Sequence, residues 1–211
     1  MNIRQMHIGV NLGVQKIASN LNDDLLPQEI DYFLNESIDD YIKNQYTNLK
    51  SERRSKEQEY INENLRTLVI TKKLTSLEDY DYLPNSYKKS IPNEYRFFLY
   101  ARTLVEGKFK NNVKLSQNAA AKLVKTPSNS PLFREIPLFI EGSDIVVMFD
   151  SETNIDNSEN LEINLTYIKN PNTVDLTKNE DCDLPVHTHK EIINIAVSKI
   201  LQTLNINTQQ E

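Results

Sequence analysis

The chain opens on a helical period. Ile3, Met6, Val10, Val14, Ile17 and Leu21 recur at spacings of three and four, which predicts a helix over residues 2–21 with one apolar face. Asn2 and Gln5 stand where a reciprocal cap closes such a helix. After the turn LNDD, Pro27 begins a second helix, because the first turn has no use for the N–H that proline lacks. Its stripe is Ile30, Leu34, Ile38, Tyr41, Ile42 and Leu49. Beyond it, SERRSKEQEYINENL holds few apolar residues. It reads either as the helix continued into solvent or as a polar arm at about 48–66.

The period then shortens. LRTLVITKKL, residues 65–74, is β-branched and bounded by polar residues, which predicts a strand. SLEDYDYLPNSYKKSIPN carries two prolines and several Asn, Asp and Ser residues, and predicts a loop. EYRFFLYARTLVEG is open to helix or strand, and its aromatics and closing Gly107 favour strand. QNAAAKLVKT, residues 117–126, predicts a short helix ended by Pro127. Strands follow at 136–140, 143–150 and 161–169; in the last, Leu161, Ile163, Leu165 and Tyr167 alternate with polar residues. HTHKEIINIAVSKILQTL returns to the helical period through Ile193, Ala196, Val197, Ile200, Leu201 and Leu204. Thr188 and Glu191 have the spacing of a capping box at its start. Strands grouped together between helical ends predict an α+β fold. Residues 1–66 and 183–211 are expected to form a helical layer, and 67–182 a mainly antiparallel β module inserted between them.

Composition narrows the function. Hydrophobic residues make up 38% of the chain, Trp is absent and mean hydropathy is −0.55. Such a lean core leaves surface for a partner to cover. Glycine occurs only at 9, 13, 107 and 142, so no glycine-rich loop is present to cradle a phosphate. Cys182 stands alone, which excludes an internal disulfide and a tetracysteine zinc site. The start MNIRQMHIGVNLGV lacks the pattern of a secretory leader, and no apolar run approaches the roughly 20 residues of a membrane span. The expectation is a soluble protein made and working in a reducing compartment, with no membrane partner. A net charge of −6, from 24 basic and 30 acidic residues, argues against a general nucleic-acid binder. The basic clusters Arg53-Arg54, Lys72-Lys73, Lys88-Lys89 and Lys108 with Lys110 read as solvated faces.

Candidate chemistry is sparse. His187-Thr188-His189, with Cys182 and Asp183 upstream, is the one spacing that suggests a metal. Two histidines two residues apart at a helix start do not converge as an i, i+4 pair does, and capping accounts for the same residues. Cys182 has Glu180, Asp181 and Asp183 as neighbours, which oppose a thiolate. His7 lies close to the first apolar stripe and is expected to pack at its edge. The acid pairs Asp23-Asp24, Asp39-Asp40 and Glu78-Asp79 with Asp81 read as solvated carboxylates. No serine sits in a G-x-S-x-G elbow. The expectation is a protein that is not an enzyme, with no catalytic, metal or cofactor site. Its rivals are a metal-dependent hydrolase using the His187/His189 region and a cytosolic regulatory adaptor.

Three stretches carry a resemblance. MHIGVNLGVQKIASNLNDDLLPQEIDYFLNESIDDYI, at 6–42, steps from one helix to the next through Leu-Leu-Pro-Gln-Glu-Ile-Asp. SIPNEYRFFLYARTLV, at 90–105, is a proline-rich approach to a strand. LTYIKNPNTVDLTKNEDCDLPVHTHKEIINIAVSKIL, at 165–201, runs from a strand through a Cys-Asp-Leu-Pro hinge into a helix. With these, the chain resembles head-to-tail adaptor or neck ring proteins of podovirus-type, crAss-like tailed bacteriophages, over roughly half its length. The resemblance implies a virion structural protein that assembles in the host cytoplasm as a dodecameric ring. Its partners would be other copies of itself, the portal protein and other neck or tail proteins. The genome would pass through the lumen during ejection without specific binding, and an acidic lumen would let the duplex slide.

Overall fold

Two helices at the start of the chain and one at its end form the first of two units. The computed structural model describes residues 1–17, 25–51, 63–83, 85–105, 107–116, 135–149 and 161–204. The helix expected at 117–126, most of the polar arm and the acidic segment 150–160 lie outside the described residues. One unit comprises Met1–Leu68 with Asn170–Glu211, and the other Val69–Lys169.

Helix α1 spans Ile3–Ile17 and buries Ile3, Met6, His7, Val10 and Val14. Its start carries the expected reciprocal cap: the Gln5 N–H donates to Asn2 Oδ1 at 2.9 Å, and the Asn2 N–H to Gln5 Oε1 at 3.0 Å. Helix α2 spans Pro27–Ser51 and buries Ile30, Leu34, Ile38, Tyr41 and Ile42. Helix α3 spans His189–Thr203 and turns Ile192, Ile193, Ala196, Val197, Ile200 and Leu201 inward. Both α1 and α2 pack on α3. The stripes end sooner than their periods imply, with Ile17 and Leu204 exposed.

The capping box expected at Thr188 and Glu191 is absent. A 3-10 turn, Val186–Thr188, runs directly into α3, so Thr188 already has helical backbone angles and makes no side-chain cap. Its hydroxyl donates back to the Pro185 carbonyl at 2.9 Å instead.

Two glycines of α1 lie against α3. A Cβ on Gly13 would stand 2.6 Å from Val197 Cγ2, and one on Gly9 would stand 2.9 Å from Ile193 Cδ1. The isoleucine atom ends a flexible side chain, whereas valine branches at Cβ and is stiff. Alanine gains about 1 kcal/mol over glycine in a helix, and overpacking costs about 1–3 kcal/mol. Gly9→Ala is therefore expected to be neutral or stabilising, and Gly13→Ala to lower the melting temperature. Equal melting of the two variants would mean that the helices do not meet so closely at Val197.

The described residues of the second unit form one eight-stranded sheet. Its strands are β1 (Val69–Thr75), β2 (Glu78–Asp79), β3 (Ser86–Ser90), β4 (Tyr95–Val105), β5 (Lys108–Lys114), β6 (Ile136–Glu141), β7 (Asp144–Met148) and β8 (Glu162–Lys169). The order is β1-β8-β4-β5-β6-β7-β3-β2. Only β5 and β6 run parallel; every other neighbouring pair is antiparallel. The fold is thus α+β, as the pattern predicts. The sheet curls, so Ile145 and Val147 of β7 share a core with Ile163, Leu165 and Tyr167 of β8. On the opposite face, Val146 and Met148 pack with Phe139 and Tyr80. Gly107 (φ +74°) and Gly142 (φ +57°) take left-handed angles in the turns closing the β4–β5 and β6–β7 hairpins.

Three strands differ from expectation. β2 and β3 lie inside the stretch read as a loop, and β5 has too little apolar pattern to register as a strand. The start of the 65–74 strand is a 3-10 turn, Arg66–Leu68. The second boundary between the units also moves, to Lys169/Asn170 from the expected 182. Segment 170–182 belongs with the helices because α1 and α2 hold it by hydrogen bonds.

Candidate functional site

Those hydrogen bonds build the most elaborate polar cluster in the helical unit. One face of α2 presents Asp31 and, one turn on, Asn35. Asp31 is buried, and its Oδ1 lies 2.7 Å from Nε2 of His7 on α1. The Leu176 N–H donates to the other carboxylate oxygen at 3.1 Å. Asn35 pairs with Val174 as a strand would, donating to its carbonyl at 3.0 Å and accepting its N–H at 2.9 Å. Two side chains thus satisfy the backbone of Val174 and Leu176, on either side of the isolated bridge that Asp175 makes to Glu180.

The rest of the segment is folded by its own acids. Asp175 accepts the Thr177 hydroxyl at 2.5 Å and the backbone N–H groups of Thr177 and Lys178. These bonds, the hydroxyl first, hold its carboxyl well below the usual range. Asp181 accepts the Ile3 N–H at 2.7 Å, and Asp183 accepts the backbone and side-chain N–H groups of Asn172.

Beside the His7–Asp31 pair lies an open groove of about 440 Å³, lined by Arg4, Ile8, Asn11, Leu25, Pro27 and Leu176 among others. A carboxylate that orients an imidazole also occurs in nucleophilic triads. Here the described lining offers no serine, threonine or cysteine for the imidazole to activate. The geometry fastens α1, α2 and segment 174–176 together.

The histidines weighed as metal ligands go separate ways. His187 Nε2 lies 2.9 Å from Asn64 Oδ1, at the partly exposed edge of the unit. His189 is buried and donates its Nε2–H to the Leu184 carbonyl at 2.8 Å. Among the described residues its Nδ1 has no hydrogen-bond partner, and no three His, Cys, Asp or Glu side chains are placed to hold a metal ion. Burial, above all, pushes the Cys182 thiol up to about 11, with Asp183 and Asp181 adding to it. That thiol is a poor nucleophile at neutral pH.

His189 gives the helical unit a pH dependence. Burial lowers its pKa from the ordinary 6.5, so the folded state holds it neutral. The unfolded chain binds the proton more readily. This contribution to stability is therefore complete above pH 6.5 and is lost as pH falls through the lower, folded value. Thermal melts from pH 7 down to about 5 should show a falling midpoint. His189→Gln, which keeps an N–H for Leu184, should flatten that slope. Identical slopes would mean that His189 does not titrate on unfolding.

In the β unit, two tyrosines are pinned to acids. Tyr167 donates to Glu94 Oε1 at 2.8 Å, and Lys72 reaches the same oxygen at 3.1 Å. A bond to its own backbone first, and then these two partners, hold the Glu94 carboxyl near 2. Burial, then Glu94, pushes Tyr167 up to about 12. Tyr80 donates to Glu141 in the same way.

No protein-family model matches the chain, and no curated protein matches it. The residues themselves therefore carry the functional reading. His7, Asp31 and Asn35 are the ones that sequence reasoning missed or placed at an edge. The available signal was a polar residue on an otherwise apolar helix face, present in both helices within their first two turns. No helix among the described residues is long and apolar enough to cross a membrane.

Proposed function

We propose that the protein is a structural subunit of a tailed-phage neck: one copy of a ring joining portal to tail, with a channel for the genome. The observation that carries this reading is where the resembling stretches fall. The described residues of 6–42 and of 170–201 come together as the helical unit, joined by the Asp31–Leu176 and Asn35–Val174 bonds, while 90–105 lies in the β unit. They form one packed body, as a family-specific docking module would. Ile8, Leu12, Leu26 and Tyr32 are exposed on that unit, each about 60% accessible. Uncovered apolar side chains of this kind suit a subunit that completes its burial against neighbours. The net charge of −6 suits a channel past which a duplex slides.

In this reading the ring is dodecameric, contacts portal and tail proteins, and needs no cofactor. Among the described residues His187 and His189 bond separately, to Asn64 and to the Leu184 carbonyl, so the hydrolase alternative draws no support from them. Light scattering on the purified protein tests the proposal. A mass of many subunits, held on dilution, is the expected result, and a monomer at every concentration would overturn it.

A further inference from the structure

Helix α1 contains no acid. Its charged residues are Arg4 and Lys16, and Ile8 and Leu12 stand between them at spacings of four. Residues so spaced form one ridge of a helix, the kind that lies in the groove of another helix. All four side chains are exposed, and the ridge runs about 18 Å along the axis. Among the described residues neither Arg4 nor Lys16 has an ion-pair partner. The groove beside Arg4 and Ile8 has no acid in its described lining either. Exposed apolar side chains bracketed by unneutralised cations fit a partner surface that is acidic around an apolar centre.

Helix α2 has such a surface. Residues 27–42 hold five acids and no base. One of the five, Asp31, is buried against His7. The other four, Glu29, Glu36, Asp39 and Asp40, share a side of the helix with the exposed Tyr32, at three residues before it and four, seven and eight after it. Lys43 pairs with Asp39 at 2.5 Å, and Lys199 of α3 with Asp40 at 2.6 Å and Glu36 at 3.7 Å. Four acids against two bases leave this face at −2, equal and opposite to the +2 of Arg4 and Lys16. From Glu29 to Asp40 it spans about 17 Å, which matches the length of the α1 ridge.

We infer that the Arg4–Ile8–Leu12–Lys16 ridge of one copy packs on the Tyr32 face of α2 in a second copy. The cations meet the acids, and Ile8 and Leu12 cover the tyrosine. Two α1 ridges packed on each other are the less favoured arrangement, because such a contact holds cations and no acid to neutralise them. A contact between two different surfaces of the same chain is heterologous, and repeated by rotation it closes a ring. The inference rests on the ring reading and names the contact that would make the ring.

Sedimentation of the full chain tests it with three variants, each checked by a circular dichroism melt. One carries Arg4→Glu and Lys16→Glu, the second Glu29→Lys and Glu36→Lys, and the third Ile8→Ser and Leu12→Ser. All six side chains are exposed, so the variants should fold. If a charge variant does not fold, the serine variant decides. The expected result is an assembled wild type, with association at least about tenfold weaker in each variant alone. An equimolar mixture of the two charge variants should assemble again, because each then presents the charge that the other lacks. Raising salt from about 0.05 to about 0.5 M should weaken the wild type. No recovery in the mixture, or equal assembly of all four proteins, would overturn this contact and leave the ring reading standing. Wild-type dimers that the variants abolish would support the contact and overturn the ring. A monomeric wild type would overturn both.

Discussion

Ile200→Asp should yield no folded helical unit. Ile200 is 1% exposed and lies on the face of α3 that packs against α1 and α2. The substitution forfeits about 1.5–3 kcal/mol of apolar burial. It also places a carboxylate with no partner in the core, at a cost of several kcal/mol more. Together these approach the whole stability of a typical domain, about 5–15 kcal/mol. Leu201→Asp, at 2% exposure, should behave alike. Ile200→Val should cost only about 1 kcal/mol and serves as the control. Soluble yield and the helical circular dichroism signal are the measurements. Wild-type melting of either Asp variant would mean that the stripe is not buried.

Asp31→Ala should have the next largest effect. The carboxylate serves both His7 and the Leu176 N–H in a buried setting. Its loss leaves a buried imidazole and a part-buried amide unpaired, at a cost of about 3 kcal/mol. For a chain of this size that lowers the melting temperature by roughly 10 °C. Asp31→Asn retains one acceptor oxygen and should fall between. Hydrogen exchange at Leu176 adds a local readout, since its amide should exchange faster in the Ala variant. Unchanged melting and unchanged exchange would show that segment 174–176 is held by something other than Asp31.

How far the sequence disclosed this follows from the kind of signal each element carries. Helices α1, α2 and α3 were legible because their stripes satisfy a 3.6-residue period over at least four turns. β6, β7 and β8 were legible because buried strands concentrate β-branched and apolar residues. β3, SYKKS, and β5, KFKNNVK, were not, because partners on both sides rather than their own composition keep them in the sheet. Thr188 and Glu191 had the spacing of a capping box, but the 3-10 turn before α3 had already set the Thr188 backbone.

The polar cluster was hidden for a different reason. His7 and Asp31 are 24 residues apart, and Asp31 and Leu176 are 145 apart. No local pattern links residues at such separations. What could be read was a single histidine near an apolar stripe, and its burial depends on a carboxylate from another helix.

Electron microscopy of the purified protein tests the central claim most directly. Closed rings of uniform rotational symmetry, with an open central channel, are the predicted result. Discrete monomers or dimers, or particles without a channel, would contradict the assignment of this chain to a neck ring.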